Sequence, residues 1–291
     1  MVASFPFKRV EMVVNTASGG VGLDAPEAAR QILAAHGVEA MVRSPQDGDL
    51  MDILRRAVAA QPDLLIVLAG DGTARAAAEL CGADGPVLAP LPGGTMNMLP
   101  RAIYGDRSWR DALEAILVDG EVRPLGGGEA EGRLFLVAAI LGAPALWAPA
   151  REAVRHGRLD LAWTRARLAL RRAFSGRLRY ALGEGGRGKS EAIAFLCPAG
   201  SSLLADADQV MEAVVLDPAG AAEAFRLGFN AMLGDWRRDP AATSWPCRSA
   251  AVWAARGLPA LLDGEPVRLS ARVRIGWRPV VVRVLAPSVA G

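Results

Sequence analysis

The chain has 291 residues, 52% of them hydrophobic, and a formal net charge of +2 from 33 Lys+Arg against 31 Asp+Glu. At about 100–200 residues per domain this length predicts two domains, and the apolar fraction excludes a disordered chain. The near-zero charge supplies no global basic field, so nucleic acid is not an expected partner.

Up to residue 125 the pattern alternates between strand and helix. Val10–Val14 is an apolar run that stops at Asn15. Asp24 is placed to cap a helix that Pro26 opens and Gly37 ends. A second helix starts at Asp49, because Leu50, Ile53, Leu54, Ala57 and Val58 recur at helical spacing. Leu64–Leu68 and Val87–Leu91 read as buried strands, and Arg107–Val118 as a helix with Ala112, Leu113, Ile116 and Leu117 on one face. Such alternation means βαβ units around a mainly parallel sheet.

The pattern changes near Gly126-Gly127-Gly128. Short β-like runs follow at Arg133–Ala138, Arg179–Leu182, Ala192–Cys197, Met211–Leu216, Val267–Leu269, Val273–Ile275 and Val280–Leu285. They predict a C-terminal antiparallel β-sandwich. The domains are therefore an α/β domain over 1–125, rejoined by the C-terminal segment 280–291, and a sandwich over 126–279. Edge strands of the second sheet offer a surface on which a homodimer can pair. Arg151–Arg177 mixes arginines with Leu159, Leu161, Trp163, Leu168, Leu170 and Phe174. This composition suits an amphipathic helix, packed on its own domain or lying on an anionic membrane surface.

Cysteine and membrane signals narrow the setting. Cys81, Cys197 and Cys247 are too few and too widely spaced for a disulfide or zinc framework, and the start of the chain lacks the apolar stretch of a secretory signal. The longest uncharged run, Leu134 to Ala150, contains Gly142, Pro144 and Pro149 and falls short of the roughly 20 apolar residues a spanning helix needs. The expected location is the cytoplasm.

In an open parallel sheet, ligands bind at the carboxyl ends of strands. Three loops there have phosphate-binding composition: Asn15-Thr16-Ala17-Ser18-Gly19-Gly20, Ala69-Gly70-Asp71-Gly72-Thr73 and Pro92-Gly93-Gly94-Thr95-Met96-Asn97. Glycines let backbone N–H groups approach phosphate oxygens, and helix N-termini favour the negative charge. Ser18, Thr73, Thr95 and Asn97 add neutral donors. Asp71 stands where a carboxylate can hold Mg2+ or take a hydroxyl proton. One such loop is an ordinary βα turn; three in consecutive strands point to a site.

Ser18-Gly19-Gly20, Gly70-Asp71-Gly72-Thr73 and Pro92-Gly93-Gly94-Thr95-Met96-Asn97 resemble the diacylglycerol kinase catalytic-domain superfamily. That group includes bacterial lipid kinases and sphingosine and ceramide kinases, with NAD kinases as distant relatives. Leu262-Asp263-Gly264-Glu265-Pro266 resembles the late L-D-G-E motif of its bacterial members. The resemblance implies a nucleotide-binding domain of the NAD kinase/diacylglycerol kinase type followed by a lipid-substrate sandwich. ATP and Mg2+ would lie between them. It implies that Asn15, Ser18, Gly19, Gly70, Gly72, Thr73, Gly93, Gly94, Thr95 and Asn97 bind nucleotide, with Ser44 in the place of a nucleotide-binding threonine. Asp71 would hold the metal and take part in catalysis, Glu265 would be the general base with Asp263 beside it, and Asp208 would hold a structural Mg2+.

The implied activity is phosphorylation of a hydroxyl on diacylglycerol or a related lipid, by a protein that is peripheral at the inner face of the membrane. The alternatives are a kinase of a soluble hydroxyl compound and a non-catalytic nucleotide- or lipid-binding relative. The second draws on departures from the family pattern at Ala69, Arg75, Pro100, Val137 and Gln209. Gly183-Glu184-Gly185-Gly186-Arg187-Gly188-Lys189-Ser190 also matches the Walker A string. No long helix pattern follows it, so it reads as a β-hairpin tip.

Overall fold

The computed structural model describes residues 5–142, 144–145, 177–183, 185–200, 210–217 and 242–288. It divides into two compact units, Met1–Gly126 with Pro279–Gly291, and Gly127–Arg278.

The first unit is built on parallel strands. β1 (Val10–Val14), β3 (Leu64–Ala69) and β4 (Val87–Pro92) lie side by side, with the shorter β2 (Ala40–Arg43) outside β1. The end of β16 (Arg272–Pro287) runs parallel to β4, Val284 opposite Leu88. Every residue of β1 and β3 is buried, which is why β3 reads as an unbroken apolar run and β1 is interrupted only by Glu11, whose carboxylate pairs with Arg43 at 2.8 Å. α1 (Ala25–Ala35) and α5 (Trp109–Asp119) share one hydrophobic cluster with Met12, Ile66, Ala89 and Leu285. α2 (Leu50–Ala59) packs on β1, and α3 (Asp71–Cys81) packs on α2, β3 and β4.

The helix boundaries follow local chemistry. The Asp49 side chain accepts the N–H groups of Met51 and Asp52 and starts α2. Ser108 accepts from Asp111 and starts α5. Asp24 occupies the N-cap position of α1 but makes no capping bond; its carboxylate pairs instead with Arg110 at 3.0 Å. Pro100 falls in the first turn of α4 (Met98–Tyr104), where its missing N–H costs nothing.

The second unit is a sandwich. One sheet is antiparallel in the order β12-β11-β10-β7-β14-β15, formed by Ala242–Cys247, Met211–Leu216, Ala192–Leu196, Ala138–Gly142, Leu258–Leu262 and Glu265–Leu269. Facing it, the start of β16 pairs antiparallel with β13 (Ser249–Trp253), β13 with β8 (Leu178–Leu182), and β8 with β9 (Arg187–Ser190). Phe135, Phe195, Met211, Val252 and Ile275 share the core between them. The Walker-like string is the β8–β9 hairpin, and a strand rather than a helix follows it.

Three expectations change. The single run Arg133–Ala138 is two strands, β6 (Arg133–Phe135) and β7, because the intervening amides turn toward Asp263. The runs at 273–275 and 280–285 are one strand, since extended backbone accepts the fixed φ of Pro279. The glycine-rich stretch at 126–128 belongs to a strand, β5 (Gly120–Ala130). A Cβ on Gly128 would overlap the ring of Phe135, its partner across the β5–β6 pair. Residues 151–176, which make up nearly all of the arginine-rich segment, lie outside the described residues, as do Asp208 and Gln209. No described helix is long and apolar enough to cross a membrane.

Candidate functional site

Three loops meet at the carboxyl ends of β1, β3 and β4. The Asn15 N–H donates to Leu68 O at 2.8 Å and ties the end of β1 to β3. Asn15 Oδ1 accepts the Ala17 N–H at 3.1 Å, which orients the amide so that Nδ2 donates to Ser18 Oγ at 3.3 Å. Ser18 is thereby an acceptor toward Asn15, and its own hydroxyl proton is left to donate elsewhere.

The glycines bring these loops into contact. The Gly20 N–H donates to Gly93 O, and the Gly93 N–H to Ala69 O, both at 3.1 Å. A Cβ on Gly93 would stand 2.7 Å from Val21 Cγ2 and 2.8 Å from the Ala69 nitrogen. Neither Gly93 nor Gly94 has positive φ; they are glycines because backbone passes backbone there. Ala69 also has no positive φ, so the alanine in place of a family glycine sits unstrained as the last residue of β3.

Asn97 locks the third loop. It sits in the left-handed region at φ 50, before α4. Its Oδ1 accepts the Gly94 N–H at 2.7 Å, and its Nδ2 donates to Gly94 O at 3.0 Å. Asn97 thus shapes the loop through Gly94, a role its residue type alone did not reveal.

Asp71 is the first residue of α3, whose N-cap, Gly70, supplies no side-chain bond. The carboxylate is half-buried, and burial raises its pKa. Backbone N–H groups of Leu99, Met98 and Asn97 oppose that rise, Leu99 N donating to Oδ1 at 3.3 Å. Asp71 therefore joins the starts of α3 and α4. Thr73 lies in the first turn of α3, its N–H bonded to Gly70 O, with Gly72 before it. The Cβ position of Gly70 faces Ser18 Oγ at 3.8 Å, and that of Gly19 faces Thr95 Oγ1 at 3.9 Å. Two hydroxyls, two glycines and a helix N-terminus consequently surround one spot.

Ser44 follows β2, whose Arg43 lies opposite Val13 of β1, so it stands at the same carboxyl edge of the sheet. It is buried at the end of β2 and caps a 3-10 turn, Pro45–Asp47: its N–H donates to Asp47 Oδ2 at 2.7 Å and its hydroxyl to Gln46 at 3.4 Å. Gly20 and Leu99, outside the predicted set, hold the framework through their N–H groups.

In the second unit, Leu262 pairs with Glu265 across a two-residue turn in which Asp263 has φ 48 and Gly264 φ 82. Positive φ at both central positions is the primed hairpin turn. Glu265 is exposed at the start of β15. Asp263 is 5% exposed, and its carboxylate accepts the N–H groups of Leu136, Val137 and Ala138 at 2.7, 2.9 and 2.9 Å.

The described residues do not build a resident metal site. No three His, Cys, Asp or Glu side chains among them gather at metal-binding distance. Asp71 stands as a single carboxylate turned to backbone donors. A magnesium ion there would depend on phosphate oxygens for most of its ligands.

Residues 9–130 match the family described as Diacylglycerol kinase catalytic domain. The match covers less than half of the chain. Over 93 residues the chain is 39% identical to the "Probable lipid kinase YegS-like" protein of Pseudomonas aeruginosa, a match that spans 31% of this chain and 30% of that protein. A crystal structure of a diacylglycerol kinase from Bacillus anthracis str. Sterne superposes with a TM-score of 0.69 at 15% identity, covering 97% of each chain. An NAD kinase from Archaeoglobus fulgidus in complex with ATP superposes with a TM-score of 0.52 at 11% identity, covering 96% of this chain and 94% of that one. At these identities the two structures establish a shared fold.

Proposed function

We propose that the protein is an ATP-dependent lipid kinase that phosphorylates a hydroxyl of diacylglycerol or a related lipid. The observation that carries this reading is the meeting of the Asn15–Gly20, Gly70–Thr73 and Gly93–Asn97 loops at one sheet edge. The family of residues 9–130, the lipid kinase named among its relatives and the ATP held by a protein of the same fold all support it.

Phosphoryl transfer asks the protein for positioning and charge stabilisation rather than covalent chemistry. The start of α3 attracts phosphate oxygens, and the hydroxyls of Ser18 and Thr95 donate to them. Asn15 and Asn97 act behind these donors by fixing the two loops that carry them. Magnesium enters as part of the substrate, the MgATP complex. The acceptor oxygen forms the new P–O bond as the bond to ADP breaks, and Glu265 takes the hydroxyl proton. The acceptor lies at a membrane surface, so the enzyme works as a peripheral protein.

The test is transfer from radiolabelled ATP to a panel of diacylglycerol, ceramide and monoacylglycerol in mixed micelles, with a soluble-acceptor arm that includes NAD. Label in extracted lipid, lost in Asp71→Asn and Glu265→Gln, is the expected result. ATP binding with no transfer to any lipid overturns the reading; label only in the soluble arm replaces it with a soluble-acceptor kinase.

A further inference from the structure

The two acids of the Leu262–Glu265 turn are two residues apart, yet their surroundings differ completely. Glu265 is exposed on β15, an edge strand of its sheet. Asp263 is buried, and three consecutive backbone N–H groups converge on its carboxylate. Its own N–H donates to Ala138 O at 2.8 Å, a fourth bond to the same segment. Leu136 and Val137 fall between β6 and β7, and their amides donate to this carboxylate. Three successive N–H groups around one anion make a nest, an arrangement suited to a permanent negative charge.

We propose that Asp263 is a positioning residue that acts through Glu265 and exchanges no proton in the reaction. An edge hairpin tip frays unless something holds it. The four bonds to Leu136–Ala138 hold this one, and they fix the strand position from which Glu265 projects. Both of Asp263's oxygens are engaged by backbone donors, so neither is presented to a substrate hydroxyl. Of the two acids, Glu265 alone has the exposure that a general base requires. This division of roles rests on the kinase reading, whereas the clamp itself is independent of it.

The experiment compares Asp263→Asn and Glu265→Gln in the full chain. Asparagine tolerates positive φ, so the first variant keeps the turn while removing the anion and turning one of the two accepting oxygens into a donor. Three readouts are taken: amide hydrogen exchange over residues 136–138 and 262–266, ATP affinity, and kcat across pH. In Asp263→Asn the exchange of both segments accelerates and ATP affinity is unchanged. Its kcat drops by about 10²-fold, the scale of a misplaced catalytic group, and the acid limb of the pH profile survives. In Glu265→Gln the exchange is unchanged and the acid limb disappears. An Asp263→Asn variant that loses the acid limb while its exchange stays as in the parent overturns the proposal, as does one with undiminished kcat. If Asp263→Asn does not fold, Asp263→Glu carries the same comparison: a carboxylate displaced from the nest lowers kcat and keeps the limb, and an undiminished kcat overturns the proposal. Should the parent transfer phosphate to no acceptor, the kinase reading fails on that result. Exchange then decides the clamp alone, and unchanged protection at 262–266 overturns it.

Discussion

A Cβ on Gly94 would stand 2.8 Å from the Cα of Gly70 and 3.2 Å from Asn97 Oδ1. Two loops from different strands are packed backbone to backbone at this point, so the substitution Gly94→Ala must push them apart. Overpacking of this kind costs about 1–3 kcal/mol. Gly94→Ala is expected to lower the urea midpoint by a corresponding amount and to weaken ATP binding at least tenfold. Gly19→Ala is the control, because its Cβ would meet Thr95 Oγ1 at an ordinary 3.9 Å. Calorimetric titration with ATP distinguishes them; equal affinities in the two variants would show that the loops do not cradle the nucleotide.

Burial gives the Asp71 carboxylate an electrostatic cost in the folded chain. Its folded pKa is raised, chiefly by burial, so between the ordinary 3.8 and the raised value the folded chain binds more protons than the unfolded one. Stability therefore falls as pH rises through that window, and the penalty persists above it. Asp71→Asn keeps an acceptor for the Leu99 N–H and removes the charge. It is expected to match or exceed the parent in Tm at neutral pH, to lose that advantage below the ordinary carboxylate range, and to lose phosphoryl transfer. Thermal melts across pH check the sign.

The opposite sign holds at Asp63. Backbone N–H groups of Arg9 and then Lys8, at 2.8 and 3.0 Å, lower its pKa and tie the start of β1 to that of β3. This contribution is present above the ordinary 3.8 and is lost as pH falls through the folded value. Asp63→Asn should unfold earlier than the parent at neutral pH, and the two urea curves should converge in acid.

Tyr104 tests the return of the C-terminal strand. Its hydroxyl is fully buried and donates to Leu285 O at 3.0 Å, across 181 residues of sequence. Tyr104→Phe leaves that carbonyl without this donor and should cost about 1–2 kcal/mol. Equilibrium urea unfolding measures the loss, and a variant as stable as the parent would mean that Leu285 O finds another donor.

The residues themselves made much of this legible. Buried parallel strands announce themselves as apolar runs, so Val10–Val14 and Leu64–Ala69 were readable almost to the residue. Asp49 marked its helix because capping is a local bond; the cap of α5, Ser108, went unread, and that helix starts two residues after the Arg107 expected from its apolar face. The loop composition of Asn15–Gly20, Gly70–Thr73 and Gly93–Asn97 singled out three loops that the fold brings together, since glycine, hydroxyl and carboxylate residues following apolar strands have few other uses. The strand pattern of the second half was harder: β5, β12, β13 and β14 carry Gly, Pro, Ser or Ala where strand propensity expects branched residues.

Sequence alone therefore determined the class of the fold and named the residues of a candidate site, because both readings depend on short-range pattern. Tertiary structure decided what surrounds each acid. Asp263 and Glu265 carry the same functional group two positions apart. Segment 136–138, more than 120 residues away in the chain, surrounds the first with three N–H donors and leaves the second exposed. A carboxylate's role is set by its neighbours in space, and those neighbours arrive only when the distant strands pair.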